Sequence, residues 1–391
     1  MSYRKLKADY LFDGFKMHQG AVLICGPDGI IEDIQEENQV DGEIEKFSGL
    51  LSPGFINCHC HLELSHLKGL IHKNQGLVNF LFSVISQRNQ SAEFKQDAMQ
   101  KAEADMLAEG IVAVGDICNT VDTLVQKSAK RLDYYNFIEV LGWAPDQAVA
   151  RFENGKRLAF LFSVAGEDES HLSLSPHAPY SISTELWNLL KPGFNGKTIT
   201  IHNQESAAEN EFFVSGTGDL TRMYALMKID SSHFKAPGST SLTYYLNELN
   251  SASPLLLVHN TYTQEADLME IRPLIGNLFF CLCPNANLYI ENRLPDIPLF
   301  MKYGLSLVLG TDSLASNEQL SILEEMKAIK RTYPLTTTGE LLLWATSNGA
   351  KALNFQEKLG DFTKGKKPGI VLIENMVDGE ITQTSTSRKL V

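Results

Sequence analysis

Short apolar runs of strand length alternate with longer helical stretches between residues 54 and 313. Helical periodicity is clearest in residues 91–110 and 263–275, and each stretch has acidic residues near its start. Eight strand-like runs separated in this way are typical of a (β/α)8 barrel, in which crossover helices join parallel strands. The predicted strands, in chain order, read GFINCHCH, IVAVGDI, YNFIEVLGW, HLSLSPHAPYS, TITIHNQ, PLLLVHN, NLFFCLCPNAN and LSLVLGTDS.

The two ends of the chain have a different sequence pattern, which predicts short strands and tight turns. In residues 21–34, the pair Asp28-Gly29 lies between two apolar runs, which is a pattern typical of a β-hairpin. A late run, GIVLIE, resembles the early strands. We therefore predict an α/β fold with two domains. Residues 53–356 form a TIM-barrel catalytic domain, and residues 1–52 and 357–391 together form a small β-sandwich domain.

The composition limits the classes of partner. The formal net charge of −13 argues against a nucleic acid, because phosphates require a basic surface. No apolar run is long enough to span a bilayer, and the first residues lack the apolar segment of a signal peptide. Six cysteines in 391 residues are too few for a disulfide framework. We expect a cytoplasmic protein with reduced cysteines that binds a small molecule but no nucleic acid or membrane. The sequence is also compatible with a homodimer.

The segment FINCHCHLELSH, which begins at Phe55, alternates cysteine and histidine. In a straight strand, residues i and i+2 share a face, so His59 and His61 lie on one side and Cys58 and Cys60 on the other. A zinc finger also needs a second pair of ligands at knuckle spacing. The remaining close cysteine pair, at 281 and 283, lies in a strongly apolar strand. We interpret both cysteine pairs as packing in the barrel wall and the histidines as candidate ligands.

Polar residues also lie at the carboxyl ends of four other predicted strands, directly after their apolar runs. They are His177, His202, His259 and Asp312. Taken singly, each histidine has an ordinary alternative as a hydrogen-bonded core residue, and Asp312 as a helix cap. In a barrel, however, the carboxyl ends of all strands meet at one face, where active sites are built. So many coincidences favour one shared site.

The chemistry of this set indicates a catalytic metal site. His59, His61, His202 and Asp312 supply three nitrogen donors and one oxygen donor, which suit zinc or ferrous iron better than calcium or magnesium. With a water added, such a site is open and generates hydroxide at neutral pH. Glu205, three residues after His202, is a candidate general acid–base. Its alternative role is that of a carboxylate at a helix N-terminus.

The motifs PGFINCHCH, SPHAPYS, HNQE, VHN, CPNAN and LGTDS follow one another in the order found in the amidohydrolase superfamily. The chain resembles the branch of that superfamily that deaminates or dechlorinates aromatic heterocycles, and the likeness extends over nearly its whole length. Two departures are Pro368-Gly369, where Ala-Asp is common, and Ala286-Asn287, where Ser precedes the asparagine. The second departure lies where it could alter substrate contacts.

The resemblance implies a role for each site residue. One divalent metal ion, zinc or else iron, is held by His59, His61, His202 and Asp312. Related two-metal hydrolases carry a modified lysine at the end of the fourth strand, whereas LSLSPHAPYS contains none, so we expect a single ion. The remaining roles are as follows: Glu205 shuttles protons, His259 orients the hydroxide, Asp312 also accepts a proton, and His177 contacts the substrate.

The substrate prediction rests on HLELS, which resembles the same segment of the aminodeoxyfutalosine deaminases of menaquinone synthesis. The resemblance implies that Glu63 and Ser65 contact the substrate, with Glu63 on a ribose hydroxyl or the base. The alternative for Glu63 is that it meets solvent or an arginine. We also interpret residues 212–241, an irregular connection after a strand that carries chemistry, as a lid over the site.

The expected function is hydrolytic deamination of an adenine-type nucleoside, with 6-aminodeoxyfutalosine as the best candidate. Hydroxide attacks the ring carbon and ammonia leaves. The alternatives within the superfamily are hydrolysis of an amide or chloro substituent on another heterocycle, and deamination of methylthioadenosine, adenosylhomocysteine or guanine. A metal-binding scaffold without activity is the alternative outside enzymes, and Glu205 beside a ligand counts against it.

Overall fold

The structure is a computed structural model that describes residues 3–271 and 278–391. Its strands are numbered here in chain order. They are β1 Arg4–Lys7, β2 Tyr10–Phe12, β3 Met17–Gln19, β4 Ala21–Cys25, β5 Ile31–Glu36, β6 Glu45–Lys46, β7 Leu50–Pro53, β8 Phe55–Cys60, β9 Ile111–Cys118, β10 Asp133–Val140, β11 Leu172–Pro176, β12 Ile199–Asn203, β13 Leu255–His259, β14 Leu278–Leu282, β15 Ser306–Leu309, β16 Ile370–Glu374 and β17 Thr386–Lys389.

The helices fill most of the connections between the strands from β8 onward. They are α1 Leu77–Gln87, α2 Ala92–Ala108, α3 Leu124–Ser128, α4 Ala148–Val164, α5 Thr184–Leu190, α6 Ala207–Ser215, α7 Asp219–Met227, α8 Ser241–Tyr245, α9 Glu265–Ile271, α10 Pro284–Glu291, α11 Ile297–Lys302, α12 Ile322–Thr332, α13 Thr338–Ala345 and α14 Ser347–Ala352. Side-chain caps set several of their starts: the hydroxyl of Ser91, for example, accepts from the amide of Phe94 at the start of α2.

Strands β8 to β15 form a closed parallel barrel. They pair as two four-stranded sheets, β8 to β11 and β12 to β15. At one seam the backbone amide of His202 donates to the carbonyl of His177 at 2.9 Å. At the other seam, Cys60 and Asp312 form a parallel bridge. The strands therefore follow one another around the barrel in chain order, as the alternation of strand and helix predicts, and candidate site residues lie at both seams.

The strands outside the barrel form the predicted β-sandwich from both ends of the chain. One sheet has the order β5-β4-β1-β6, and the other, β17-β16-β7-β2-β3, combines early and late strands. A shared apolar cluster includes Leu6 and Leu23 of the first sheet and Leu51 and Leu372 of the second. The fold class is thus confirmed, whereas the residue boundaries that divide the chain into two domains remain a prediction.

The local predictions agree closely with the elements. The hairpin around Asp28-Gly29 joins the antiparallel strands β4 and β5, and the helical stretch of residues 91–110 contains α2. The predicted helix of residues 263–275 begins as α9, but its residues 272–275 lie outside the described residues, as does residue 277 at the start of the predicted seventh strand. Among the helices that the structure describes, none combines the length and the apolar character needed to cross a membrane.

Candidate active site

Four of the predicted site residues meet in one buried cluster at the carboxyl ends of the barrel strands. The Nε2 atoms of His59 and His61 are 3.2 Å apart. The Oδ1 atom of Asp312 lies 3.4 Å from Nε2 of His61 and 3.7 Å from Nε2 of His59. His202 completes a group of three histidines whose ligand atoms all lie within 4.8 Å of one another. Residues from β8, β12 and the end of β15 therefore converge on one point.

Hydrogen bonds outside the cluster orient two of its imidazole rings. Nδ1 of His202 lies 2.7 Å from the carbonyl oxygen of His177, and Nδ1 of His259 lies 2.8 Å from Oδ1 of Asn287. Because each acceptor is an oxygen, each Nδ1 carries the proton and donates it. This leaves an Nε2 lone pair on both rings. Such outer hydrogen bonds fix the tautomer of histidines that bind metals or water.

The electrostatics of the cluster favour neutral imidazoles beside an ionised carboxylate. Burial lowers the pKa of His61 to about 3, and burial lowers the pKa values of His59 and His202 as well. Burial alone raises the pKa of Asp312. The hydrogen bond with His59 and the electrostatic interactions with His61 and His259 outweigh burial, so the pKa of Asp312 falls well below its ordinary value. A buried carboxylate therefore lies beside three buried imidazole rings.

This donor set fits a divalent metal ion. The Nε2 atoms of His59 and His61 lie 3.2 Å apart and Oδ1 of Asp312 lies within 3.7 Å of both, so all three atoms can face one cation placed between them. Three nitrogen donors and one carboxylate oxygen are ligands that zinc and ferrous iron accept. A candidate metal centre is therefore present, formed by the residues that the sequence indicated.

Glu205 lies beside this cluster with a free carboxylate. Its Oε1 atom is 3.7 Å from Nε2 of His259, and among the described residues no group donates a hydrogen bond to its side chain. Burial, followed by the nearby charges of Asp312 and Glu291, raises the pKa of Glu205 well above its ordinary value. A buried carboxyl group with a raised pKa holds a proton near neutral pH, as a general acid must.

The alternative role predicted for Glu205, a carboxylate at a helix N-terminus, belongs to Glu209. The carboxylate of Glu209 accepts hydrogen bonds from the backbone amide of Gln204 at 3.0 Å, from that of Glu205 at 3.4 Å and from the hydroxyl of Ser241. Glu209 is fully buried. Because Glu209 accepts the hydrogen bonds of the backbone amides that follow β12, the carboxylate of Glu205 is not needed for them and faces the cavity.

Two of the site residues have backbones in the left-handed region. His259 has φ +73° and Asp312 has φ +56°. Residues other than glycine adopt this region at a cost of about 1–3 kcal/mol, and they cluster at functional sites. His259 is the last residue of β13 and Asp312 lies three residues after β15, so at both positions the chain turns away from the strand direction beside the shared cluster.

Cys58 and Cys60 are not part of the cluster of histidines and Asp312, as predicted. Their positions relative to each other differ from the prediction. The pairing of β8 with β9 shifts register between Asn57 and Cys60, and this bulge breaks strict alternation. Cys58 packs with Cys281 in the cluster of apolar side chains inside the barrel, whereas Cys60 packs in the layer between strands and helices. The prediction that Cys58 and Cys60 share a face is therefore wrong. The prediction of buried, unpaired cysteines is confirmed.

We expect Cys58→Ala and Cys60→Ala to keep both bound metal and activity. Each change removes a buried sulfur, which should lower the free energy of unfolding by about 1–2 kcal/mol through lost packing. Metal analysis, turnover and chemical denaturation of the two variants test this. Loss of metal in either variant contradicts the assignment of the ligands to histidine and aspartate alone.

A cavity of about 740 Å³ opens over the cluster. Its floor includes His61, His202, Glu205 and Asp312, and its walls are largely apolar. This volume lies in the upper part of the range for pockets that bury a small organic ligand. The metal cluster, the free carboxylate and a ligand-sized space thus form one site.

The predicted lid, residues 212–241, lines this cavity and is irregular only in its second half, between α7 and α8. It contains the end of α6 and all of α7, and Met223, Tyr224 and His233 line the cavity. The helical signal was hard to detect because two glycines with positive φ, Gly216 and Gly218, interrupt it. That the segment moves remains a prediction.

The residues predicted to contact the substrate differ in their placement. His177 lines the cavity, and its Nδ1 lies 2.9 Å from the hydroxyl of Ser181, which leaves Nε2 for a ligand. The hydroxyl of Ser65 donates to the carbonyl of Leu62 at 2.7 Å, and among the described residues Ser65 is not part of the cavity wall. The substrate contact of Ser65 stays a prediction, and the proposals below do not use it.

Glu63 lines the cavity, but most of its hydrogen-bonding capacity is occupied. Its Oε2 atom accepts from the amide of Asn119 and from the amide and hydroxyl of Thr120, each at 3.0 Å. Its Oε1 atom lies 3.9 Å from the guanidinium of Arg88. Burial raises the pKa of Glu63 to about 7. These contacts correspond to the alternative in which the carboxylate of Glu63 lies against an arginine.

The strand alternation expected from His59 through His61 to Glu63 does not extend to Glu63, because β8 ends at Cys60 and a 3-10 helix follows.

Sequence reasoning missed two residues of the site. Glu139, next to last in β10, lines the cavity with a side chain that is only 7% exposed. Asn287 holds His259, while the neighbouring Ala286 is buried among apolar residues, so the departure at 286 affects packing. A polar residue near the end of an apolar run was the available signal for Glu139. It was overlooked because the predicted strand continued to Trp143.

Comparison with known proteins gives matches over most of the chain. The model of the amidohydrolase family matches residues 50–390. The chain is 29% identical over 314 residues to a Helicobacter pylori protein named adenosine deaminase, with 78% of this chain and 75% of that protein covered. It is 28% identical over 372 residues to the aminodeoxyfutalosine deaminase of Deinococcus radiodurans, with 90% and 85% covered. These relatives carry different substrate names.

Among solved structures, the chain resembles Helicobacter pylori aminofutalosine deaminase in complex with methylthio-coformycin. The TM-score is 0.80, with 96% of this chain and 93% of that chain covered. The sequence identity is 22%. At this level the likeness supports the barrel fold and does not by itself transfer a substrate.

Proposed function

Because this chain belongs to the amidohydrolase family, we propose that it is a metal-dependent hydrolytic deaminase of an adenine-type nucleoside. The observation that carries the proposal is the free, buried carboxylate of Glu205, 3.7 Å from His259 and beside the cluster of histidines. A protein that only stores or binds a metal has no use for a proton carrier in that position. The resemblance of the relatives named above to this chain supports the same class of reaction.

We assign one divalent metal ion to His59, His61, His202 and Asp312, with zinc as the preferred metal and iron as the alternative. When bound, the ion lowers the pKa of a water to about 7 and so provides hydroxide at neutral pH. A second ion is disfavoured because Nδ1 of His202 already donates to the carbonyl of His177. That nitrogen has no lone pair left for another metal.

The protein groups divide the proton transfers among them. Glu205 gives its proton to the ring nitrogen next to the amino group, so the adjacent ring carbon becomes electrophilic. Asp312 accepts a proton from the attacking water, and His259 orients the water by accepting a hydrogen bond at Nε2. The leaving nitrogen then takes the proton held by Asp312 and departs as ammonia, and the hydroxyl group on the ring carbon returns a proton to Glu205 as the carbonyl forms. Substrate and water are thereby converted to the ring carbonyl compound and ammonia, and both carboxyl groups regain their starting protonation.

The walls of the cavity support a nucleoside with a bulky substituent. Trp143 stacks on Tyr224 with ring centroids 5.2 Å apart and an interplanar angle of 8°, and both rings line the cavity. Arg88 and Arg151 also line this cavity. Such a lining suits an aromatic group with a negative charge beyond the sugar. We therefore propose 6-aminodeoxyfutalosine as the substrate, ahead of adenosine itself.

A panel of compounds tests the proposal. It comprises 6-aminodeoxyfutalosine, adenosine, methylthioadenosine, adenosylhomocysteine, guanine and a chlorotriazine. Purified protein with its metal should release ammonia from the adenine nucleosides, and kcat/KM should be highest for 6-aminodeoxyfutalosine. Ammonia release and the loss of adenine absorbance provide two independent measurements.

Other outcomes of the panel favour the alternatives. Turnover restricted to the chlorotriazine indicates a hydrolase of another substituent. Higher kcat/KM for methylthioadenosine or adenosylhomocysteine keeps the deaminase but overturns the substrate. Bound metal without turnover of any compound contradicts the enzyme and leaves the metal-binding scaffold.

A further inference from the structure

We propose that Glu139 is the residue that recognises a ribose hydroxyl of the substrate and makes the enzyme selective for ribonucleosides over deoxynucleosides. This inference rests on the proposed deaminase function. It replaces the expectation that Glu63 performs this task. The carboxylates of the cavity wall differ in which oxygens are already hydrogen-bonded and in how far each lies from the metal cluster.

Glu139 has one oxygen in use and one available. Its Oε2 atom accepts a hydrogen bond from the side-chain amide of Asn119 at 3.0 Å. Among the described residues, no group donates a hydrogen bond to Oε1, whose nearest ionisable neighbour is Nδ1 of His202 at 3.9 Å. A buried carboxylate oxygen facing a cavity without a donor lacks the partner that such groups normally have. A ligand hydroxyl supplies that donor.

The other carboxylate on this wall is not available in the same way. Glu63 receives three hydrogen bonds on Oε2 from Asn119 and Thr120, and its Oε1 faces the guanidinium of Arg88. Asn119 connects the two glutamates, since its backbone amide donates to Glu63 and its side chain donates to Glu139. This arrangement holds Glu63 against the protein and fixes Glu139 with its second oxygen towards the cavity.

The position of Glu139 matches the sugar of a bound nucleoside. His202 presents Nε2 to the metal cluster, and Glu139 lies beside the opposite nitrogen of the same ring. Glu139 and His177 also have ligand atoms within 4.8 Å of each other. In a purine nucleoside whose amino-bearing carbon is at the metal cluster, the sugar is attached on the far side of the ring system. Glu139 lines the same cavity but is separated from the metal cluster by the imidazole ring of His202, so its free oxygen can meet the sugar and not the reacting carbon.

A second cation is the competing occupant of this place, because Glu139, His177 and His202 also form a group of possible metal ligands. The proton on Nδ1 of His202, donated to the carbonyl of His177, counts against it. With that nitrogen excluded, one carboxylate and one imidazole remain, which is fewer protein ligands than zinc sites use. A neutral hydroxyl donor needs only the free oxygen of Glu139.

The test compares adenosine with 2′-deoxyadenosine and 3′-deoxyadenosine in the wild type, Glu139→Ala and Glu139→Gln. A charge-assisted hydrogen bond to a hydroxyl should give the wild type at least about a tenfold, and up to about a hundredfold, preference in kcat/KM for adenosine over one deoxy analogue. In Glu139→Ala the preference should fall to within about threefold of unity, and Glu139→Gln should lie between. If adenosine is turned over too slowly, inhibition constants of the three compounds against 6-aminodeoxyfutalosine turnover are compared instead.

Asp146→Asn is the control, since it removes a carboxylate from the cavity wall without changing a hydrogen bond of Asn119 or Glu139. It should leave the preference between adenosine and its deoxy analogues at the wild-type value. A wild-type preference below tenfold for both analogues overturns the inference, and so does a preference that persists in Glu139→Ala. Loss of a second bound metal in Glu139→Gln also overturns it. Absence of turnover by the wild type on every nucleoside defeats the proposed function itself, which is a separate result.

Discussion

Glu205→Gln should lower kcat by about 10²–10⁴-fold while leaving metal content unchanged. Glutamine preserves the size of the side chain but has no proton to give to the ring nitrogen. The proposed metal ligands, three histidines and Asp312, are untouched. The loss should appear mainly in kcat, because the proton is transferred as the transition state forms. Single-turnover kinetics and elemental analysis of the same preparation measure both quantities.

Glu209→Gln provides the contrast for this experiment. Glu209 is a second fully buried carboxylate, one helical turn away, whose oxygens accept from two backbone amides and from Ser241. Its replacement should lower the free energy of unfolding, by about 1–3 kcal/mol, more than it lowers kcat. Near-normal turnover in Glu205→Gln removes Glu205 from the mechanism. An equal loss of kcat in both variants indicates that position, and not proton transfer, is what Glu205 provides.

The barrel could be predicted because its signals are redundant. Each strand is a short apolar run, and stretches with helical periodicity such as residues 91–110 lie between several of them, so an error of a residue or two at any boundary leaves the topology unchanged. The sandwich was weaker in the sequence, yet the hairpin at Asp28-Gly29 and the late strand β16 indicated it. Long-range pairing such as that of β16 with β7 cannot be read from local pattern, and was inferred here from texture alone.

The part of the site that depends on strand ends was likewise accessible. His202, His259 and Asp312 each end an apolar run, and a barrel gathers such ends at one face. What strict alternation could not foresee is the bulge between Asn57 and Cys60, since a register shift depends on the partner strand β9. The bulge separated Cys58 from Cys60 while still allowing His59 and His61 to meet.

Substrate contacts were the least predictable because they depend on which hydrogen bonds the protein itself satisfies. Nothing in the letters HLELS shows that Glu63 is held by amides some sixty positions later in the chain, at Asn119 and Thr120. Nor does the run YNFIEV show that Glu139 keeps a free oxygen. Such competition between internal and ligand hydrogen bonds is a property of the folded packing.

Removal of one metal ligand should have the largest effect of all. We expect the wild type to carry close to one zinc or iron ion per chain and His202→Ala to lose both the ion and measurable turnover. The imidazole of His202 supplies one of three nitrogen donors, and the hydroxide needed at neutral pH is not formed in quantity without the ion. Metal analysis by mass spectrometry, before and after dialysis against a chelator, measures the binding directly.

His177→Ala is the control that separates loss of a ligand from damage to the site. His177 adjoins His202, with ring centroids 4.8 Å apart, but it lies outside the group formed by His59, His61 and His202. It should therefore keep the metal, although substrate binding weakens. Added metal should raise the midpoint of thermal unfolding in the wild type and in His177→Ala. It should leave the midpoint of His202→Ala unchanged. Two tightly bound ions per chain, both required for turnover, contradict the single-metal site. Retention of the ion by His202→Ala shows that His202 is not a ligand.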